Sequence, residues 1–192
     1  MIYISPISFQ AKQIKLKNPY NVKQLAENKM SYTEANISFV EFEPVNIQDY
    51  EALKKISKAW KEALFADNIK SVASDIIKRK KSKKDNRIFF VTRQTDNFHQ
   101  LDSESVLGIA HMYKDDSNMA ELKYLQVLPT TKYGSRKREF KEVGNSIVRS
   151  ILSLYDCNVK VRPYYPAVSF YERLGFKLIN LEKFEYLWKK TK

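Results

Sequence analysis

The chain is poor in the residues that anchor several common chemistries. Among 192 residues there are one cysteine, two histidines, four glycines and six prolines. A lone thiol, Cys157, excludes a disulfide scaffold and a cysteine-ligated zinc cluster, and makes a reducing cytoplasm the expected compartment. Neither His99 nor His111 stands at metal-ligand spacing from a partner, so no metal site is expected. No apolar run approaches the roughly 18 residues that a membrane-crossing helix needs. The opening, MIYISPISFQ, has neither a basic start nor a long apolar stretch and does not read as a secretory signal. GxSxG, Walker and dinucleotide-binding fingerprints are all missing.

What is present is a foldable composition with uneven charge. Apolar residues make up 43% and aromatics 13%, enough for one domain with a buried core and against global disorder. Lys and Arg number 34 against 22 Asp and Glu, a net charge of +12. Lys78–Arg87 (KRKKSKKDNR) holds seven bases and one acid, and Lys132–Lys141 (KYGSRKREFK) five bases and one acid. Such stretches favour phosphate-bearing partners, whether cofactor, nucleic acid or membrane surface, although a solvated loop is the plainer account of a lysine run.

Periodicity divides the chain at about residue 36. Residues 1–36 carry apolar positions with no sustained period and are broken by Pro6 and Pro19. They are read as an N-terminal extension that either lies across the domain or stays mobile, with the folded domain spanning 37–192. ISFVEFEPV suits a strand closed by Pro44. Tyr50, Leu53, Ile56, Trp60 and Leu64 then recur at helical steps, with Asn46 or Asp49 available to cap. A second helical stretch runs through Ile69, Val72, Ile76 and Ile77. Three strands follow, RIFFVTRQ, VLGIAHMY and MAELKYLQVLP, with Gly108 marking a bulge or a close backbone approach. Val143, Ile147, Ile151 and Leu154 mark an amphipathic helix, CNVKVRP a short strand, and Pro166 to Gly175 a helix with its C-terminal glycine. FKLIN and KFEYLWK end the chain as a hairpin. The order β-α-α-β-β-β-α-β-α-β-β predicts an α/β fold: a mixed sheet with helices on both faces and one right-handed crossover between parallel strands.

This order, with three local matches, resembles the GNAT superfamily of N-acetyltransferases over roughly Ile37 to Trp188. AVSFYERLGF, Ala167 to Phe176, is similar to the family's penultimate helix and its glycine turn. AELKYLQVLP, Ala120 to Pro129, is similar to the fourth strand with its L-x-V-x-P ending. KEVGNSI, Lys141 to Ile147, is a weak form of the Q/R-x-x-G-x-G/A pyrophosphate loop. The resemblance implies acetyl-CoA as co-substrate. Its pyrophosphate would lie on Arg136, Arg138, Lys141, Val143, Gly144, Asn145 and Ser146, and its pantetheine arm on the backbone of Leu125, Gln126 and Val127. The physical reasons are general. A loop entering a helix supplies unpaired N–H groups and a favourable dipole, and an amide-rich arm pairs with a strand as another strand would. The Val127 amide is placed to polarise the thioester carbonyl.

The departures are specific. Eleven residues separate Pro129 from Lys141, where the family usually has about three; Ser146 replaces Gly or Ala; Arg149 falls at an aliphatic position; and Tyr164 stands where many members carry an asparagine that contacts the cofactor. An alternative loop uses Gly134 within Lys132 to Lys137.

Acetylating an amine needs a base for the ammonium proton and an acid for the departing thiolate. The resemblance implies Tyr171 as acid and Glu121 as base, with Tyr124 and His111 in reserve. The plainer accounts are a packed Tyr171 and a strand glutamate paired with Lys123. Cys157 reads as a buried apolar residue, and His99 as a turn residue. The expected function is transfer of acetyl to a primary amine of an unidentified acceptor in a direct ternary complex. The alternative is a catalytically weak module of the same fold that binds nucleic acid or a ribonucleoprotein through its basic patches, Lys78–Arg87 foremost. Acceptor and oligomeric state are not legible.

Overall fold

The computed structural model describes residues 12–191 except 17–19, 28–29, 45–46, 61–63, 99, 115, 118 and 130–137. The expected order is present from residue 38 on. β4 (Ser38–Glu41) leads to α1 (Ile47–Ala59) and α2 (Leu64–Ile77), then to β5 (Asn86–Thr92), β6 (Val106–Lys114) and β7 (Met119–Val127). α3 (Val143–Leu154), β9 (Asn158–Val161), α4 (Val168–Arg173), β10 (Lys177–Asn180) and β11 (Glu185–Trp188) complete it. Short strands not expected from the sequence are β1 (Lys12–Gln13), β2 (Val22–Leu25), β3 (Tyr32–Ala35) and β8 (Phe140–Lys141).

Eight strands form one sheet in the order β1-β4-β5-β6-β7-β9-β11-β10. Within it β7 and β9 pair in parallel and the other neighbours antiparallel. α3 is the crossover that parallel pairing demands. Two apolar clusters cover the two faces. Phe39, Phe89, Met112 and Leu122 pack with α3 residues Ile147 and Ile151 and with Tyr171 and Phe176. Val40, Phe42, Ile88, Phe90 and Ile109 pack with α1 and α2 residues such as Leu53, Ile56, Ile69 and Ala73. Successive residues of β4 and β5 therefore alternate between two buried faces, which is why these strands read as continuous apolar runs.

The sequence period runs on through Trp60 to Leu64, so it does not reveal that Leu64 already belongs to α2. Asn46 lies outside the described residues; Asp49 accepts the Glu43 backbone N–H at 3.0 Å. Gly108 is a close approach: a Cβ there would stand 3.1 Å from Val143 Cγ1, so the absent side chain lets α3 ride low on β6. Gly175, at φ 91, ends α4 in the left-handed region, as the glycine turn predicts.

The first 36 residues contribute to both ends of this architecture. β1 pairs with β4 at the sheet edge, and β2 forms a separate three-stranded sheet with β3 and β8. Val22 is fully buried among the α3-side core residues.

Candidate active site

β7 and β9 stay together for only four residues. The parallel register runs from Met119↔Asn158 to Leu122↔Val161. β9 then ends, and Pro163 offers no amide to continue a ladder. β7 continues to Val127, so the residues from Lys123 onward have no strand partner on the β9 side among the described residues. On its other side β7 stays bonded to β6, with Lys123 bulged between Leu122↔Met112 and Tyr124↔His111.

The ladder phase decides which backbone groups face the gap. Leu128 donates its N–H to the Leu107 carbonyl at 2.8 Å, which makes that opposed pair a bonded one. Alternation then makes Gln126↔Ile109 bonded and leaves Val127↔Gly108 and Leu125↔Ala110 non-bonded. The N–H and C=O groups of Leu125 and Val127 consequently point away from β6, into the opening. The Val127 carbonyl is taken by Gln126 Nε2 at 2.9 Å, which leaves its N–H as the donor at the mouth.

The N-terminus of α3 closes the far end. Its first residue is Val143, preceded by Glu142 in the left-handed region at φ 66 with no side-chain cap. The Ser146 N–H reaches the Glu142 carbonyl at 2.7 Å, so the amides of Val143, Gly144 and Asn145 precede the first intrahelical bond. A Cβ on Gly144 would lie 3.3 Å from Phe170 Cζ and 3.8 Å from Val127 Cγ1. The bare glycine is thus where α3, the end of β7 and α4 converge. This junction fits a diphosphate at a helix N-terminus, with a strand-like arm leading away from it.

Other expected loop residues are engaged elsewhere. The Lys141 ammonium lies 3.7 Å from the centre of the Tyr32 ring, a cation–π contact with β3. Ser146 is buried and donates its hydroxyl to the Tyr20 carbonyl at 2.6 Å. Tyr32 donates to the Arg138 carbonyl at 2.9 Å. The N-terminal hairpin therefore grips this loop from beneath, a role that no period in residues 1–36 announces. The Glu142 carboxylate accepts from Asn145 Nδ2 at 2.9 Å, and Asn145 Oδ1 accepts from Arg149 Nε at 2.8 Å. Arg149 thus points outward at a position where an aliphatic residue was expected. Arg136 and the alternative loop at Lys132–Lys137 lie outside the described residues, as does His99. Tyr164 is 74% exposed and precedes the 3-10 turn Tyr165–Ala167, with Ala167 donating to its carbonyl.

Tyr171 and Glu121 lie on opposite sides of the sheet. Tyr171 packs in the α3-side core, edge-on to Phe170 at 4.9 Å and to Phe176 at 5.5 Å. Burial alone pushes its phenol above the ordinary tyrosine range. Leu122 belongs to the same core, so its neighbour Glu121 faces the α1–α2 side. Glu121 is 7% exposed and meets Lys123 at 2.7 Å and Lys160 at 3.8 Å. The pairing with Lys123 is the plainer account given above; the second lysine and the depth of burial are additions from the fold.

His111 sits beside them on β6, stacked 5.8 Å from Tyr124. Its Nε2 faces Asn86 Oδ1 at 3.1 Å, which requires Nε2 to carry the proton, and its buried Nδ1 has no partner among the described residues. Burial, with the Lys81 and Lys123 cations, pushes its pKa down to about 4, so the ring is neutral near pH 7. Cys157 is buried in the α3-side core. Among the described residues no cluster of His, Cys, Asp and Glu is built to hold a metal, and no helix is long and apolar enough to cross a membrane.

No protein-family model matches the chain, and no curated protein matches it. Solved structures do. A protein from Desulfovibrio desulfuricans assigned to the GNAT acetyltransferase family superposes with a TM-score of 0.55 at 15% identity, covering 80% of this chain and 98% of that one. A GNAT-family acetyltransferase from Staphylococcus aureus Mu50 superposes at 0.50 and 16% identity, again over 80% and 98%. At such identities the likeness is one of fold, and the fold is that of the GNAT acetyltransferases.

Proposed function

We propose that the chain is an acetyl-CoA-dependent N-acetyltransferase that moves acetyl directly to a primary amine in a ternary complex. The observation that carries this is the parallel pair that separates after four residues, with Gly144 and the open α3 amides at its mouth. β9 ends at Val161 and Pro163 cannot extend its ladder, so Leu125 and Val127 keep strand-type hydrogen-bonding groups turned toward the opening.

Acetyl-CoA, when bound, supplies an activated thioester. Gly144 lets the α3 amides approach a diphosphate, and Arg138 and Lys141 on the segment leading into α3 add positive charge. Leu125 and Val127 offer strand-type hydrogen bonds, with Gln126 between them bonded to β6. The Val127 N–H is the donor for the charge that develops on the carbonyl oxygen. The Tyr171 phenol, held protonated by burial, is the proton source for the sulfur. Glu121, approached from the α1–α2 face, takes the ammonium proton of the acceptor. Acid and base on opposite faces suit a reaction in which the two substrates meet across the sheet.

Two departures bear on affinity. The Glu142 carboxylate stands in the loop that a diphosphate would use, and Lys141 rests on Tyr32. The test is calorimetric titration with acetyl-CoA, followed by a thiol-release assay against small amines and peptides. Saturable binding with thiol release in the presence of an acceptor is expected. No heat at near-millimolar acetyl-CoA would sink the assignment.

A further inference from the structure

The lysine run Lys78–Arg87 does not behave as one patch once folded. Arg87 is withdrawn from it: its guanidinium makes two bonds to the buried Glu41 carboxylate, at 2.7 and 2.8 Å, and lies over Phe89. Lys81 is tethered to Asp75 at 3.2 Å and Lys83 to Glu43 at 2.5 Å. Lys78, Arg79 and Lys80 have no ion pair among the described residues.

These residues follow the end of α2 in a tight turn. Arg79 donates its N–H to Ile76 and Lys80 to Asp75, the two bonds that end a helix through a left-handed residue. That residue is Arg79, at φ 55, where glycine would be the unstrained choice. The turn borders a groove of about 560 Å³ whose walls include Ile76, Ile77, Arg79, Lys80, Lys81 and Lys83, with no acidic residue lining it. Ile77 is 38% exposed there, an apolar wall beside four cations. The Ser82 carbonyl accepts both the backbone N–H and the Nδ2 of Asn86, at 3.0 Å each. What remains in the groove is positive charge and apolar surface.

We propose that this groove binds the phosphodiester backbone of a nucleic acid, without sequence preference. Cations beside a small apolar surface match phosphates alternating with sugar rings. A peptide strand would instead look for backbone hydrogen-bond partners, which the occupied Ser82 carbonyl does not offer. A membrane surface would call for several projecting apolar side chains, and of the apolar residues lining this groove Ile77 alone is exposed. Fold position adds to this. Asn86, Tyr113, Glu121 and Lys160 are register neighbours on four adjacent strands, so a polymer leaving the groove crosses the sheet end that carries Glu121. The inference does not depend on acetyl transfer.

The test is fluorescence anisotropy with labelled single-stranded RNA and DNA of about 20 nucleotides, titrated between about 50 and 200 mM salt. Arg79 and Lys80 in the groove, with Lys78 beside it in the same turn, predict a slope of log affinity on log salt of about −1.4 to −2 for single strands. The variant Lys78→Gln/Arg79→Gly/Lys80→Gln relaxes the strained turn as it removes the charges. It is expected to weaken binding at least tenfold and flatten the slope. Lys177→Gln/Lys183→Gln/Lys189→Gln, which removes the same net charge at the far hairpin, is expected to change binding less than threefold. Equal loss in both variants, no loss in the first, or equally tight binding of polyglutamate or anionic vesicles would overturn the proposal.

Discussion

Replacing Tyr171 by Phe separates a packing role from a chemical one, because a packing role leaves turnover near the parent rate and a chemical role does not. The ring is 6% exposed and edge-packed on Phe170 and Phe176, contacts that Phe would keep. The hydroxyl makes no hydrogen bond among the described residues, and burial is the sole cause of its raised pKa. Phe keeps those ring contacts, and the hydroxyl is not among the fully enclosed atoms that lack a partner, so removing it is expected to shift stability by no more than about 1 kcal/mol. A proton donor to the leaving thiolate is worth roughly 10²–10⁴ in rate, or about 3–5 kcal/mol of barrier. The variant is therefore expected to melt close to the parent temperature, bind acetyl-CoA about as well, and turn over at least a hundredfold more slowly. Urea unfolding, calorimetry and thiol release read the three quantities. A destabilised variant, or one that transfers acetyl at the parent rate, would refute the reasoning.

Other outcomes follow from the same geometry. Gly144→Val is expected to lower acetyl-CoA affinity at least tenfold while shifting stability by no more than about 2 kcal/mol, since its branches meet Phe170 and Val127. Glu142→Gln removes an exposed carboxylate from the loop and is expected to raise acetyl-CoA affinity two- to fivefold at low salt, by about 1 kcal/mol or less. His111, with its pKa pushed from 6.5 down to about 4, binds its proton in the unfolded chain first, so its contribution to stability is lost as pH falls from 6.5 to 4. Asp49, pushed from 3.8 up to about 7 by burial, holds a proton that the unfolded chain releases, so its contribution is lost as pH rises through that window. Urea unfolding at stepped pH is expected to show opposing slopes of up to about 1.4 kcal/mol per unit, with Asp49→Asn exposing the acid-sensitive limb and His111→Gln the alkaline one; parallel slopes in all three proteins would contradict both assignments.

The element order was legible because two signals are local. Apolar runs in RIFFVTRQ and VLGIAHMY mark strands buried on both faces, and the Pro166–Gly175 frame marks a helix by its ends. The short strands β1, β2, β3 and β8 were not legible. Their residues, KQ, VKQL, YTEA and FK, are mostly polar and carry no apolar run, and Val22 is buried by what folds over it rather than by its neighbours in sequence. For the site, Gly144 and Val127 were reached through the family resemblance of KEVGNSI and AELKYLQVLP, and the fold adds that both border one gap. The partners of Lys141 and Ser146 were hidden, since Tyr32 and Tyr20 approach from more than a hundred residues away. The Lys123 bulge was likewise invisible, yet it resets the strand phase beyond Glu121. The basic run misled in one respect: its charges look equivalent in sequence, while Arg87 is half-buried and turned back onto the Glu41 carboxylate.

The hairpin of β2 and β3 has a practical consequence for anyone trimming the protein. A clone begun at Ile37 would look complete by its repeating pattern, yet it would lose the outermost pairing on β4 and the floor beneath the lysine–glycine loop together. Poor solubility or weak nucleotide-thioester capture in such a shortened version would report on the missing underpinning, and would say little about the chemistry of the remainder.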